Sequence, residues 1–146
     1  MAQSKKSFME KKNDENPGKI TSKGQPVPLR IAYIGGGSRG WAHILIRDLL
    51  RYPGFTGEVR LYDIDRPMAE FNARFGNWMQ HHPEAASKWK YRAVASLKTA
   101  LKDADFVFVS ILPGPIEMMK LDLEETQKYG VFHSVGDTVG PTGCIR

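Results

Sequence analysis

The sequence predicts an α/β fold, the first half of a doubly wound parallel sheet, preceded by a disordered N-terminal tail. Three observations predict it. Short β-branched and aromatic runs alternate with stretches of helical periodicity, which is the spacing of βαβ units with right-handed crossovers. The glycines of a G-x-G-x-x-G pattern, Gly35, Gly37 and Gly40, stand between the first strand-like run and the first helical stretch. The run "DFVFVSIL" (105–112) is apolar on both faces, as suits a central parallel strand.

Residues 1–28 read as a flexible basic tail that closes on the linker "GQPVP". Residues 29–146 form the domain. "LRIAYIG" is a buried-type strand, and from Ser38 the pattern turns helical, with Trp41, Leu45 and Leu49 in one stripe widened by Ile44 and Ile46. "YPGFTGE" breaks that helix and "EVRLYDI" is the second strand. A helix over 66–82 places Met68, Phe71, Phe75, Trp78 and Met79 on one apolar face, with Asp65 as its N-cap. A short strand follows over 89–94, then a short helix with Ser96 as N-cap, then "DFVFVSIL". Beyond "PGP" a further helix carries Ile116, Met119 and Leu123 on one side, and "VFHSV" (131–135) reads as a fifth strand.

Composition narrows the class. Apolar residues make up 41% and charged residues 25%, as in an ordinary globular domain. No apolar run approaches the ~20 residues that span a bilayer, so no membrane role is expected. The start of the chain lacks the apolar core of a secretory signal. A single cysteine, Cys144, allows no internal disulfide, and the expected compartment is the cytoplasm. Of the net +5, most lies in residues 1–30, where seven basic residues face three acidic ones. A basic tail without a recognition motif does not indicate nucleic acid.

The glycines gain meaning from their neighbours. They follow a strand and open a helix, the context of the Rossmann-type dinucleotide fingerprint. Gly35 makes the tight turn, Gly37 lets the backbone approach a pyrophosphate, and Gly40 lets the helix pack close to the sheet. Asp63 lies 23 residues past Gly40, near the ~20-residue offset of the acid that binds a ribose hydroxyl. A carboxylate there repels a 2′-phosphate, so NAD is expected over NADP, with nearby Arg66 as a counter-indication. The cofactor-binding set is therefore Gly35, Gly36, Gly37, Ser38, Arg39, Gly40 and Asp63, joined by Leu112 and Pro113 at the end of the fourth strand. For those last two a plain strand-to-helix turn is an equal reading. In "SVGDTVGPTG", Asp137 and Thr138 offer polar groups on an open backbone, well placed to line a site. His43, His81 and His82 read as surface or helix-end residues, and His133 has no visible partner. No Ser-His-Asp order, Walker loop or zinc motif is present.

Taken together, "RIAYIGGGS" with "GWA", "LYDID", "ADFVFVSILPG" and "SVGDTVGPTGCIR" resembles glycoside hydrolase family 4, most closely its α-galacturonidase branch and more loosely its α-glucosidase/α-galactosidase members. The likeness runs from about Leu29 to Arg146. It implies a glycosidase in which NAD oxidises a sugar hydroxyl, a base assisted by a divalent metal (usually manganese) drives elimination, water adds, and the hydride returns. By this resemblance Gly35, Gly37, Ser38 and Asp63 match cofactor-binding positions, and Asp137 and Thr138 match the loop beside nicotinamide and sugar. Thr142 and Cys144 depart from the family's usual "GPGG" followed by an apolar residue. The metal ligands and the catalytic base of the family belong to downstream segments, so no catalytic residue and no metal ligand is expected in this chain. It is expected to be an N-terminal, cofactor-binding piece, inactive alone, of an enzyme that takes a carbohydrate substrate and forms a homo-oligomer. An NAD-dependent dehydrogenase and a non-catalytic dinucleotide-binding module are the alternatives.

Overall fold

A computed structural model describes residues 26–132 of the chain. They fall into two compact units, one ending at Ser110 and one beginning at Ile111. The first unit contains β1 (Val27–Ile34), α1 (Trp41–Arg51), β2 (Phe55–Tyr62), α2 (Arg66–Met79), β3 (Trp89–Ala93), α3 (Leu97–Leu101) and β4 (Phe106–Val109). All pairings are parallel, in the order β3-β2-β1-β4. This is the start of the doubly wound order, with the chain reversing its direction of travel between β1 and β4. The α/β, Rossmann-like class expected from sequence is the class observed.

The sheet carries two layers of core. On one face Ile31, Tyr33, Val59, Leu61, Trp89 and Tyr91 pack against Ala42, Ile46 and Leu50 of α1 and Ala69 and Ala73 of α2. On the other, Ala32 and Val94 meet Ala100 of α3. α2 buries a different stripe from the one its large residues mark out, and on α1 the buried stripe overlaps the expected one at Ile46, with Leu45 and Leu49 at its rim. On α2 the buried positions are Ala69, Asn72, Ala73 and Gly76, while Phe71 and Trp78 are 47% and 66% exposed. The reason is distance. A Cβ on Gly76 would lie 2.6 Å from the ring of Tyr91, so only small residues let this helix approach the strands. Phe75 and Met79 pack at the rim of that contact. On α1, Ala42, Ile46 and Leu50 are buried while Trp41 is 57% exposed.

Strand ends differ from the sequence reading for equally local reasons. β2 begins at Phe55, inside the predicted break, because Gly57 adopts φ +136 where a Cβ would collide with the Leu29 carbonyl oxygen. β4 is shorter than expected, and in the described sheet it is an edge strand rather than a central one. All four of its residues are exposed, Val109 to 64%. Its apolar character belongs to a strand that has a neighbour on only one side here. α2 stops at Met79, and the chain turns through His81 and His82 ahead of Pro83. The predicted caps form as read, with Asp65 Oδ1 accepting from Met68 N–H at 3.2 Å and Ser96 Oγ from Thr99 N–H at 3.2 Å.

The other edge of the sheet is closed by side chains. Asn77 donates to the Tyr91 carbonyl at 2.8 Å and accepts from its N–H at 3.1 Å, and Gln80 Oε1 accepts from Trp89 N–H at 3.1 Å. These amides of α2 stand in for a further strand and protect β3 from pairing elsewhere. Burial pushes the Tyr91 phenol well above its ordinary range.

In the second unit, α4 (Ile116–Gln127) has Met119 and Leu123 half-buried and Ile116 exposed. Lys120 and Glu124 pair across one turn at 3.5 Å. Of the predicted fifth strand, Val131 and Phe132 are irregular and the rest lies outside the described residues. No helix among the described residues is long and apolar enough to cross a membrane.

The close approach of α2 yields a prediction. Gly76→Ala should lower stability by about 1–3 kcal/mol through overpacking against Tyr91, as read by urea denaturation. Unchanged stability would mean that the helix is not held at this distance.

Candidate functional site

The site is built where β1 and β2 end level with one another, Ile34 beside Tyr62. The loop after β1 folds back at once. Gly35, at φ 91°, and Gly36 both donate their N–H to the Tyr62 carbonyl, at 2.9 and 3.0 Å. Gly36 passes so close to β2 that a Cβ would sit 2.8 Å from the Leu61 α-carbon. Gly37 N–H donates to Asp63 Oδ2 at 2.7 Å, and a Cβ on Gly37 would lie 2.8 Å from that same oxygen. Ser38 N–H closes the turn on the Gly35 carbonyl at 3.0 Å. Its hydroxyl accepts from Trp41 N–H at 3.1 Å, so Ser38 caps α1 in place of Gly40.

Asp63 is fixed twice. Its second oxygen accepts the Asp65 N–H at 2.9 Å. A carboxylate can accept about four hydrogen bonds, so two remain for a ligand's hydroxyls. Asp65 itself is occupied as the cap of α2, as expected. Arg66 forms an i,i+4 pair with Glu70 at 2.9 Å, which draws its guanidinium along the helix.

The N-terminus of α1 has no acidic residue in its first turn and no side-chain cap on Gly40. Its first N–H groups therefore lack intrahelical acceptors and, with the positive end of the helix dipole, suit an anion. Gly40 has nothing within 4 Å of where a Cβ would stand. The close-packing role expected of it thus falls to Gly36, whose missing side chain admits β2.

Two more residues complete the loop's support: Asn72, which the sequence reading passed over, and His43, which it read as a surface or helix-end residue. Asn72 of α2 is fully buried, and its amide donates to the Gly36 carbonyl at 2.8 Å and the Ser38 carbonyl at 3.0 Å. Its oxygen lies 2.9 Å from His43 Nε2. The His43 ring packs on Phe75 with centroids 4.6 Å apart. His43 is therefore a half-buried partner of Asn72, not a free surface histidine. The signal available in sequence was a lone amide on the small-residue face Ala69–Asn72–Ala73–Gly76.

Leu112 and Pro113 fall in the second unit, exposed ahead of α4. Asp137 and Thr138, and with them His133 and Cys144, lie outside the described residues. Among the described residues no three His, Cys, Asp or Glu side chains come together as a metal site would require.

The glycines differ in what they must do, which gives a paired prediction. Gly36→Ala should destabilise the chain by about 1–3 kcal/mol, because backbone cannot move aside, whereas Gly40→Ala should change stability by less than about 0.5 kcal/mol. Thermal melts of both variants test this. Equal losses would contradict the close approach of loop and strand.

The chain is similar to known proteins in sequence and fold. Residues 30–146 match the family model described as "Family 4 glycosyl hydrolase". An alpha-galacturonidase of Thermoanaerobacterium saccharolyticum is 47% identical over 123 residues, which is 84% of this chain and 26% of that protein. The crystal structure of the Bacillus subtilis protein lplD superposes with a TM-score of 0.67 at 45% identity, covering 81% of this chain and 26% of that one. The 6-phospho-beta glucosidase of Thermotoga maritima, solved with NAD and glucose-6-phosphate, superposes with a TM-score of 0.62 at 26% identity, over 80% of this chain and 27% of that one. A second structure of it holds manganese as well, with a TM-score of 0.59 at 25% identity. The chain spans about a quarter of the length of the curated relatives it matches. With the family's match running across the glycine loop and Asp63, the chain belongs to family 4 of the glycosyl hydrolases.

Proposed function

We propose that this chain is the NAD-binding part of a glycosidase that hydrolyses O-glycosidic bonds by oxidation, elimination, addition and reduction, and that its substrate is an α-galacturonide. The observation that carries the reading is the Asp63 carboxylate, held by two backbone N–H groups beside a glycine loop that leads into the start of α1. Near-half identity to an alpha-galacturonidase supports the choice of sugar.

The residues fit the cofactor. Two free acceptor positions on Asp63 suit the two hydroxyls of an adenosine ribose. Gly36 and Gly37 carry no side chain where a pyrophosphate must come near the backbone, and the amides of Arg39 and Gly40 open the positive end of α1. The Asp63 charge disfavours a 2′-phosphate, and the Arg66–Glu70 pair removes the cation that would offset it. Leu112 and Pro113, and beyond the described residues Asp137 and Thr138, are proposed to line the same cofactor and the sugar. When bound, NAD supplies a reversible hydride acceptor, so that no net redox accompanies hydrolysis. The described residues offer no ligand set for manganese. Use of NAD also places the protein in the cytoplasm in this reading.

Titration with NAD tests the reading on this chain. Asp63→Ala should weaken binding roughly ten- to a hundredfold, the value of charge-assisted bonds to two hydroxyls, and Asp63→Asn should fall between. Affinity unaffected by either change would contradict the ribose assignment. In protein of the relatives' full length, hydrolysis of an aryl α-galacturonide should cease on removal of NAD or of divalent metal. Activity that survives both treatments would overturn the mechanism.

A further inference from the structure

The buried amide of Asn72 does more than fill space beneath the glycine loop. It binds two carbonyls of that loop, and each is rigidly coupled to the N–H of the next residue. In a trans peptide the C=O and N–H point in opposite directions. Because the Gly36 carbonyl turns inward to Asn72, the Gly37 N–H turns the other way, and there it meets Asp63 Oδ2 at 2.7 Å. Because the Ser38 carbonyl also turns inward, the Arg39 N–H is aimed away from the core. It finds no acceptor among the described residues. One side chain thus orients two peptide planes, one toward the ribose acid and one toward the space at the start of α1.

The orientation of the Asn72 amide is itself determined. Both of its hydrogens are committed to the two carbonyls, so its oxygen must face His43. The imidazole Nε2 then has to carry a proton and donate. The His43 ring packs against Phe75 at a tilt of 40°, and both residues sit on helices that are anchored in the core. A loop of three consecutive glycines has little conformational preference of its own, so its shape must be imposed by its surroundings.

We propose that Asn72 and His43 are positioning residues for the cofactor's pyrophosphate, with Asn72 aiming the Arg39 N–H and His43 fixing the amide that does the aiming. This rests on the NAD reading above. Two ligands separate the roles: NAD, which needs the aimed Arg39 amide, and adenosine, whose ribose needs Asp63, a side chain that keeps its bond from the Asp65 N–H when the bond from Gly37 weakens.

Asn72→Asp keeps the size of the side chain but sets an oxygen against at least one loop carbonyl. His43→Phe keeps the ring on Phe75 and removes the donor, and His43→Gln offers a donor again. Asn72→Asp should weaken NAD roughly tenfold or more and adenosine no more than about twofold, and His43→Phe should show the same bias at about threefold, with His43→Gln recovering most of it. Amide hydrogen exchange should quicken at Gly37 and Ser38 while β1 and β2 keep their protection. Equal losses for the two ligands, or no loss for either, would overturn the proposal. If Asn72→Asp does not fold, the His43 pair decides by the same readout. If wild-type chain binds no NAD, the cofactor reading fails, and the loop exchange in His43→Phe alone then decides whether these residues shape the loop.

Discussion

The hydrogen bond from Gly37 N–H to Asp63 ties the carboxyl ends of two neighbouring parallel strands, and most of the site depends on it. It can form only because the register sets Ile34 beside Tyr62, so that loop and acid emerge side by side. It also requires that Gly37 carry no side chain, since a Cβ would collide with the carboxylate. The second carboxylate oxygen is held by Asp65, which in turn caps α2. A short chain of bonds therefore links the glycine loop, Asp63 and the start of α2. The same helix returns the support from below through Asn72. Little of this geometry has to be organised when a ligand arrives, and preorganisation of that kind reduces what binding costs in ordering.

Much of this was legible in the residues. The alternation of strands and helices, the caps Asp65 and Ser96, and the order strand, glycines, helix, acid all depend on local chemistry, which sequence displays directly. What escaped reading was set by contacts across the fold. The large residues of α2 suggested a buried face of Phe71 and Trp78, but the distance to Tyr91 admits only the small side chains of the neighbouring stripe. Asn72 sits in that stripe, and nothing in its sequence neighbourhood reveals the two carbonyls it serves. His43 is unreadable for the same reason, because its partner is 29 residues away. The close-packing role was read at Gly40 and belongs to Gly36, since a motif records which residues are glycine and not what each one touches.

β4 shows a different kind of gap. Its composition is that of a strand covered on both sides, yet within the described sheet it stands at the edge with every residue exposed. Apolar sequence reports how a strand is meant to be buried, while its place in the sheet depends on which neighbours are present. The opposite edge, where Asn77 and Gln80 pair with the backbone of β3, is finished within the first unit. The two edges of one sheet are thus in unlike states. Family 4 membership, with the chain matching about a quarter of each curated relative, sets the scale of the protein to which such a sheet belongs.

In the proposed reading the glycine loop and Asp63 together hold a dinucleotide. An amide chemical-shift map of this chain, recorded as NAD is added, addresses it most directly. If the loop holds the pyrophosphate and Asp63 the ribose, the largest changes will cluster at Gly37, Ser38, Arg39, Gly40 and Asp63, with the β3 edge unmoved. A map without changes, or one centred on Lys88 to Lys90 at that edge, would contradict it.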